Sequence, residues 1–173
     1  FTRLEHYSAH LFPVGSDGTV YIFGAGHCGE KLAHIVHTVG FGTVVIDDRS
    51  EFANASRIPE ADEIIVPKKL EEPFDTITFG PDSYIVIVTR GHMHDEAVLR
   101  RALQTKAGYI GMIGSKKKRE TVYSHLLAEG FTQADIDRVY SPIGVTIRAE
   151  TPEEIAISIT AELIKVRAEN KAR

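Results

Sequence analysis

From Val20 onward, short runs rich in β-branched residues alternate with stretches whose apolar positions recur at helical spacing. The runs at 20–23, 43–47, 63–66, 84–89 and 109–113 predict strands, with a weaker sixth at 145–148. TVVID and YIVIVT are almost continuously apolar, which is the pattern of strands covered by helices on both faces. Between them, Leu32, Ala33, Ile35, Val36 and Val39 predict a helix over 30–39, closed by Gly40. Val98, Leu99, Ala102 and Leu103 predict a helix over 95–105. Val122, Leu126 and Leu127 predict one over 116–128, ahead of Gly130. The last helix carries the best start signal: Thr151 as N-cap, Pro152 at the first helical position and Glu154 completing a capping box. Its stripe is Ile155, Ile159, Leu163 and Val166. Strict alternation of β and α implies an α/β fold with a doubly wound, Rossmann-like parallel sheet and helices on both faces. The expected division is a lead-in or linker over 1–18, ended by the turn residues GSDG, and a Rossmann-like cofactor-binding domain over 19–169.

Composition narrows the setting without changing that picture. The 173 residues suffice for one domain with a sizeable core, and 43% hydrophobic with 25% charged residues is ordinary for a soluble globular chain. A net charge of −4 gives no reason to expect nucleic acid or an anionic membrane as partner. A single cysteine cannot close an internal disulfide, so a reducing, cytoplasmic compartment is the simplest expectation. No apolar run has the length of a membrane span, and no signal peptide is visible. The first residue is Phe1 rather than methionine, as expected of a processed chain or a piece of a longer one.

The candidate chemistry starts at GAGHCG, residues 24–29, between a strand and a helix. In such a loop Gly24 turns the chain sharply, Gly26 removes a side chain that would block a phosphate, and Gly29 lets the helix lie close to the sheet. The helix N-terminus then points free N–H groups at an anion. Asp47 ends the next strand, where an acid accepts ribose hydroxyls. Together these predict a dinucleotide or another phosphate-bearing ligand, against the alternative of a purely structural glycine turn. His27 either touches the ligand or faces water. Cys28 either gains thiolate character at the helix N-terminus or fills space as a small apolar residue.

Two further loops leave the sheet at its carboxyl end, where open α/β sheets bind ligands. TRGHMHD at 89–95 crowds Arg90, Gly91, His92, His94 and Asp95 near the presumed anion. His-x-His could supply two metal ligands, but a third at suitable spacing is missing, so hydrogen bonding to a ligand is expected in place of a metal site, with an inert polar loop, and Asp95 as a plain helix cap, as the alternatives. GSKKKRE follows the fifth strand, with Ser115 as a helix cap and Lys118 and Arg119 in the first turn. Cations there oppose the helix dipole, which is easiest to tolerate beside an anion; for Lys117 and Lys118 a solvated basic turn is the equal alternative. No Ser-His-Asp arrangement, paired glycosidase-like carboxylates or cysteine-rich metal site appears. The chain shows a binding site with polar walls and no catalytic constellation.

The segments IFGAGHCGEKLA, VIDDRSEFANASRIPEAD, VTRGHMHDEAVL, YIGMIGSKKKR and SPIGVTIRAETPEEIAISITAELI resemble, in order, the C-terminal domain of the XdhC/CoxI xanthine dehydrogenase accessory factor family. The resemblance implies a cofactor-binding accessory protein in place of a dehydrogenase. Such a protein holds molybdenum cofactor (molybdopterin or its dinucleotide form), assists its sulfuration with a cysteine desulfurase and delivers it to a molybdenum hydroxylase such as xanthine dehydrogenase. It also implies a homodimer, for which the apolar stripe of the last helix is the expected contact surface. By position, Gly24, Gly26, His27, Gly29 and Asp47 would form the nucleotide or phosphate side, and Arg90, His92, His94, Ser115, Lys118 and Arg119 the opposite wall. Two features depart from the family. Its N-terminal module, whose cysteine lies in a glycine-rich turn, has no match in the 173 residues. Arg148 stands where the family tends to have glycine. An NAD(P)-dependent oxidoreductase domain, or a nucleotide-sensing Rossmann module, is the alternative.

Overall fold

The computed structural model describes residues 18–171; apart from Gly18, the lead-in expected over 1–18 lies outside the described residues. The elements run β1 (Thr19–Phe23), α1 (His27–Thr38), β2 (Gly42–Ile46), β3 (Glu63–Ile65), a 3-10 turn (Glu72–Asp75), β4 (Ser83–Ile87), α2 (His92–Leu103), β5 (Tyr109–Met112), α3 (Lys116–Ala128), α4 (Gln133–Ile136), β6 (Val139–Tyr140) and α5 (Pro152–Lys171). All strand pairs are parallel, in the order β3-β2-β1-β4-β5-β6. This is the doubly wound sheet expected, with β1 inside it. Strand order reverses between β1 and β4, which opens the ligand crevice of such folds above their carboxyl ends.

Period-two alternation divides the core. Val20 and Ile22 of β1, with Tyr84 and Val86 of β4, pack under α1 and α5. Phe23 of β1, with Ile85 and Ile87 of β4, packs under α2 and α3. Each such buried side chain contributes about 1.5–3 kcal/mol, so the central strands, buried on both faces, are the least mobile platform on which to mount a site. The stripe of α5 is consumed here as well: Ala156, Ile159, Leu163 and Val166 are buried in the α1 layer.

Two readings of the sequence are corrected. Residues 145–148 are not a strand; the sixth strand is Val139–Tyr140, only two residues long. Segment 145–148 follows Pro142 and Gly144 and ends in Arg148 at φ 58°, a left-handed conformation that no strand adopts. Helices α1 and α2 also begin three residues earlier than expected, at His27 and His92. The start of α5 is as read: Glu154 N–H donates to Thr151 Oγ1 (3.2 Å), and Thr151 N–H to Glu154 Oε2 (3.1 Å).

Candidate functional site

The loops after β1, β4 and β5 form the crevice. Gly24 sits at φ 118°, and a Cβ there would lie 2.4 Å from the carbonyl oxygen of Val88. At Gly29 a Cβ would lie 1.8 Å from the carbonyl oxygen of Gly24, so the helix can approach the strand only through glycine. Gly26 is different: a Cβ there would meet nothing within 4 Å. It is the N-cap of α1 and caps no amide with a side chain. Gly91, N-cap of α2, repeats this arrangement, again with no side-chain cap and open space where a Cβ would stand. Two helices starting from adjacent strands therefore present uncapped N-termini with empty volume before them. Free amides and helix dipoles make that volume suited to phosphate.

Beside Gly26, His27 is exposed at the first position of α1. Cys28 is half-buried, and burial, then the negative charge of Glu153 on α5, pushes its thiol pKa up. Of the two readings of Cys28, the small space-filling residue is the one this environment matches.

Asp47 is buried, and its carboxylate is engaged within the chain. Oδ2 accepts from Ala25 N–H (2.8 Å) and Arg49 Nη2 (2.9 Å), and Oδ1 from Arg49 N–H (3.0 Å) and Nε (2.9 Å). Burial alone would raise the carboxyl pKa, but the Arg49 side chain, the two backbone donors and the Arg49 charge outweigh it and hold the group below its ordinary value. Arg49 lies 3.9 Å over the Phe52 ring. The four-fold use of the carboxylate leaves no acceptor position free for a ribose hydroxyl unless Arg49 moves. Asp47 here fastens the glycine loop to the end of β2.

The cations of the opposite wall are also paired. Arg90 donates to Asp48 Oδ2 (2.6 Å), bridging the ends of β4 and β2. Lys118 reaches the fully buried carboxylate of Asp95, which also accepts from Thr89 Oγ1 (2.5 Å) and Thr89 N–H (3.2 Å). Arg119 donates to the carbonyl of Ser141. Ser115 caps α3 by accepting from Lys118 N–H (3.3 Å). His92 and His94 open α2. Among the described residues no group of three or more His, Cys, Asp or Glu could hold a metal ion, and no helix is long and apolar enough to cross a membrane. The sequence had pointed to Arg90, Lys118 and Arg119 but missed Asp48, Thr89 and the Ser141 carbonyl that receive or share their bonds. The adjacent acids in VIDD were the available signal for Asp48.

The family model described as the XdhC Rossmann domain matches residues 20–163. The chain belongs to the XdhC family. This XdhC domain is 32% identical over 148 residues to a protein of Bacillus subtilis (strain 168) named as a probable xanthine dehydrogenase subunit, covering 84% of the chain and 42% of that protein. It is 27% identical over 146 residues to "Uncharacterized protein YqeB" of Escherichia coli (strain K12), covering 84% of the chain and 27% of that protein. A crystal structure of a xanthine dehydrogenase from Bacillus halodurans superposes with a TM-score of 0.76 at 36% identity, covering 88% of the chain and 43% of that one. The chain thus spans less than half the length of these relatives. Arg148 is the single non-glycine residue at positive φ among the described residues, a backbone conformation that favours glycine.

Proposed function

We propose that this domain holds molybdenum cofactor, a phosphorylated pterin, within a maturation protein that serves a molybdenum hydroxylase of the xanthine dehydrogenase kind. The paired, uncapped N-termini behind Gly26 and Gly91 carry the proposal, because they offer a phosphate two sets of free amides and the space to approach them. The Bacillus subtilis relative and the Bacillus halodurans structure are named as a xanthine dehydrogenase or as part of one. When bound, the cofactor would bring the molybdenum centre that the hydroxylase uses. The chain's own part is to fix the phosphate at the Gly26 and Gly91 amides and to keep the loop in place through Asp47. The engagement of Asp47 by Arg49 favours the phosphomonoester form over the dinucleotide form and over NAD(P), whose riboses would have to displace Arg49. Sulfuration with a cysteine desulfurase, in the cytoplasm, belongs to the same proposal.

A homodimer is part of the reading too. The inner stripe of α5 is taken up by α1, but Ile157, Ala161, Ile164 and Ala168 lie exposed on its outer side at coiled-coil spacing, a face that a second copy could match.

The test is mass spectrometry of the small molecule released from protein purified gently from a host that makes molybdenum cofactor. A phosphopterin is expected from the parent and none from Gly26→Val. Steady nicotinamide turnover by the parent, lost in Gly26→Val, would overturn the proposal in favour of a dehydrogenase. A monomer mass by light scattering would remove the homodimer.

A further inference from the structure

We propose that the cleft beside β5 is a second subsite, taking a flat heterocycle with an anionic or carbonyl-rich edge, and that Arg148 is its specificity-determining residue. The cleft holds about 400 Å³, within the range of small-molecule sites. Its walls are largely apolar, from Ile113, Ile143, Val145, Ile147 and Ile155, and Ser115 and Arg148 join the lining. Arg148 differs from three neighbouring cations, Arg90, Lys118 and Arg119. Arg90, Lys118 and Arg119 are bonded to Asp48, Asp95 and the Ser141 carbonyl, whereas Arg148 has no hydrogen-bond or ion-pair partner among the described residues. It also occupies a left-handed backbone conformation at φ 58°, which disfavours a side chain with a Cβ. An unpaired guanidinium, held at a conformational cost on the rim of an apolar cleft, supplies planar donors to a ligand edge that the walls cannot satisfy.

The segment carrying it is firmly seated. Gly144 N–H donates to Glu162 Oε2 (3.0 Å), Val145 N–H to the Ser158 carbonyl (3.2 Å), and Ser158 Oγ to the Val145 carbonyl (2.7 Å). A Cβ on Gly144 would lie 2.3 Å from Ser158 Oγ, so the segment lies directly on α5. Along the sheet, β5 is two strands from β1, about 10 Å. A fused heterocycle with a phosphorylated arm can span that interval, ring in the cleft and phosphate at the glycine loop. This subsite rests on the proposed function only for the phosphate end of that span.

The experiment uses the 173-residue chain and two probes: 6-carboxypterin followed by its fluorescence, and pyrophosphate followed by calorimetry. The parent is expected to bind both. Arg148→Gly and Arg148→Gln should each weaken 6-carboxypterin roughly tenfold or more, the loss of a charged hydrogen bond, and leave pyrophosphate unchanged. Arg148→Gly should also melt higher than the parent, so a binding loss in it cannot be ascribed to unfolding. Ile147→Asp, at a half-exposed wall position, should abolish 6-carboxypterin binding by placing a negative charge in the cleft. Failure of the parent to bind 6-carboxypterin, or equal binding by all three variants, would overturn the subsite. Pyrophosphate binding that survives Gly26→Val would instead overturn the phosphate reading of the glycine loop, while the pterin result continues to decide the cleft.

Discussion

Lys118, in the first turn of α3, donates to the carboxylate of Asp95 in the first turn of α2, and Asp95 has no exposed surface. The pair joins the loops after β4 and β5, with Thr89 as a third member through its hydroxyl and amide. Removing one partner strands the other's charge in a dry site. Lys118→Met is therefore expected to cost about 3–5 kcal/mol of stability by urea denaturation. Lys118→Met combined with Asp95→Asn should cost less than the single change, since Asn still accepts from Thr89 and carries no charge. Equal losses would show that the ion pair is not what holds these loops.

The two glycines of the loop that differ most in surroundings should separate folding from binding. Gly29→Ala drives a Cβ against the Gly24 carbonyl, 1.8 Å away, and should cost at least about 3 kcal/mol. Gly26→Ala meets nothing within 4 Å and has φ −69°, so its melting temperature should match the parent's. Its pyrophosphate affinity should nevertheless fall, because the new methyl group occupies the volume in front of the amides. A Gly26→Ala protein that unfolds early would show the space to be filled.

Asp47 makes stability depend on acid. Its pKa in the folded chain is depressed below the ordinary 3.8 by Arg49 and two backbone donors. A depressed carboxyl stabilises the fold above its unfolded-state pKa, and that contribution disappears as pH falls through the folded value. The parent should thus lose stability below about pH 4 more steeply than Asp47→Asn, with the two curves converging at the acid end. Surface carboxylates contribute alike to both proteins and cancel in the difference. Parallel curves would remove Asp47 as a source of the slope.

Cys28 should be a slow thiol. Burial and Glu153 both raise its pKa, so less thiolate is present at neutral pH than in an unfolded peptide. Alkylation by iodoacetamide at pH 7.5 is expected to be slower in the folded protein than in urea. Glu153→Gln should speed the folded reaction modestly. Faster alkylation in the folded state would show that the N-terminus of α1 dominates.

What the sequence disclosed followed the range of the forces involved. The central strands, α3 and the Thr151 start of α5 were legible because period and capping are local. The edge strand was misplaced because VTI in 145–147 has more β character than the two-residue Val139–Tyr140, and only the backbone at Arg148 excludes it. The short helix α4 passed unread although its capping box, Thr132 with Asp135, is written in the sequence. The glycine loop was readable as a motif. The fate of the cations was not, because Asp48 lies 42 residues from Arg90, and Asp95 lies 23 from Lys118. Charge alone places a residue at an edge; only the sheet order decides which carboxylate faces it.

The sheet also ends abruptly on both sides. β3 pairs through three residues and begins at an exposed Glu63, and β6 pairs through two and is followed by Pro142. A strand from another molecule would find too few free amides and carbonyls at either margin to zip onto, and a charge or an imino ring where it tried to extend. Growth of this sheet into an intermolecular ribbon is thereby blocked at both margins. The outer face of α5, with Ile157 and Ile164 exposed, carries no such obstacle to a second copy.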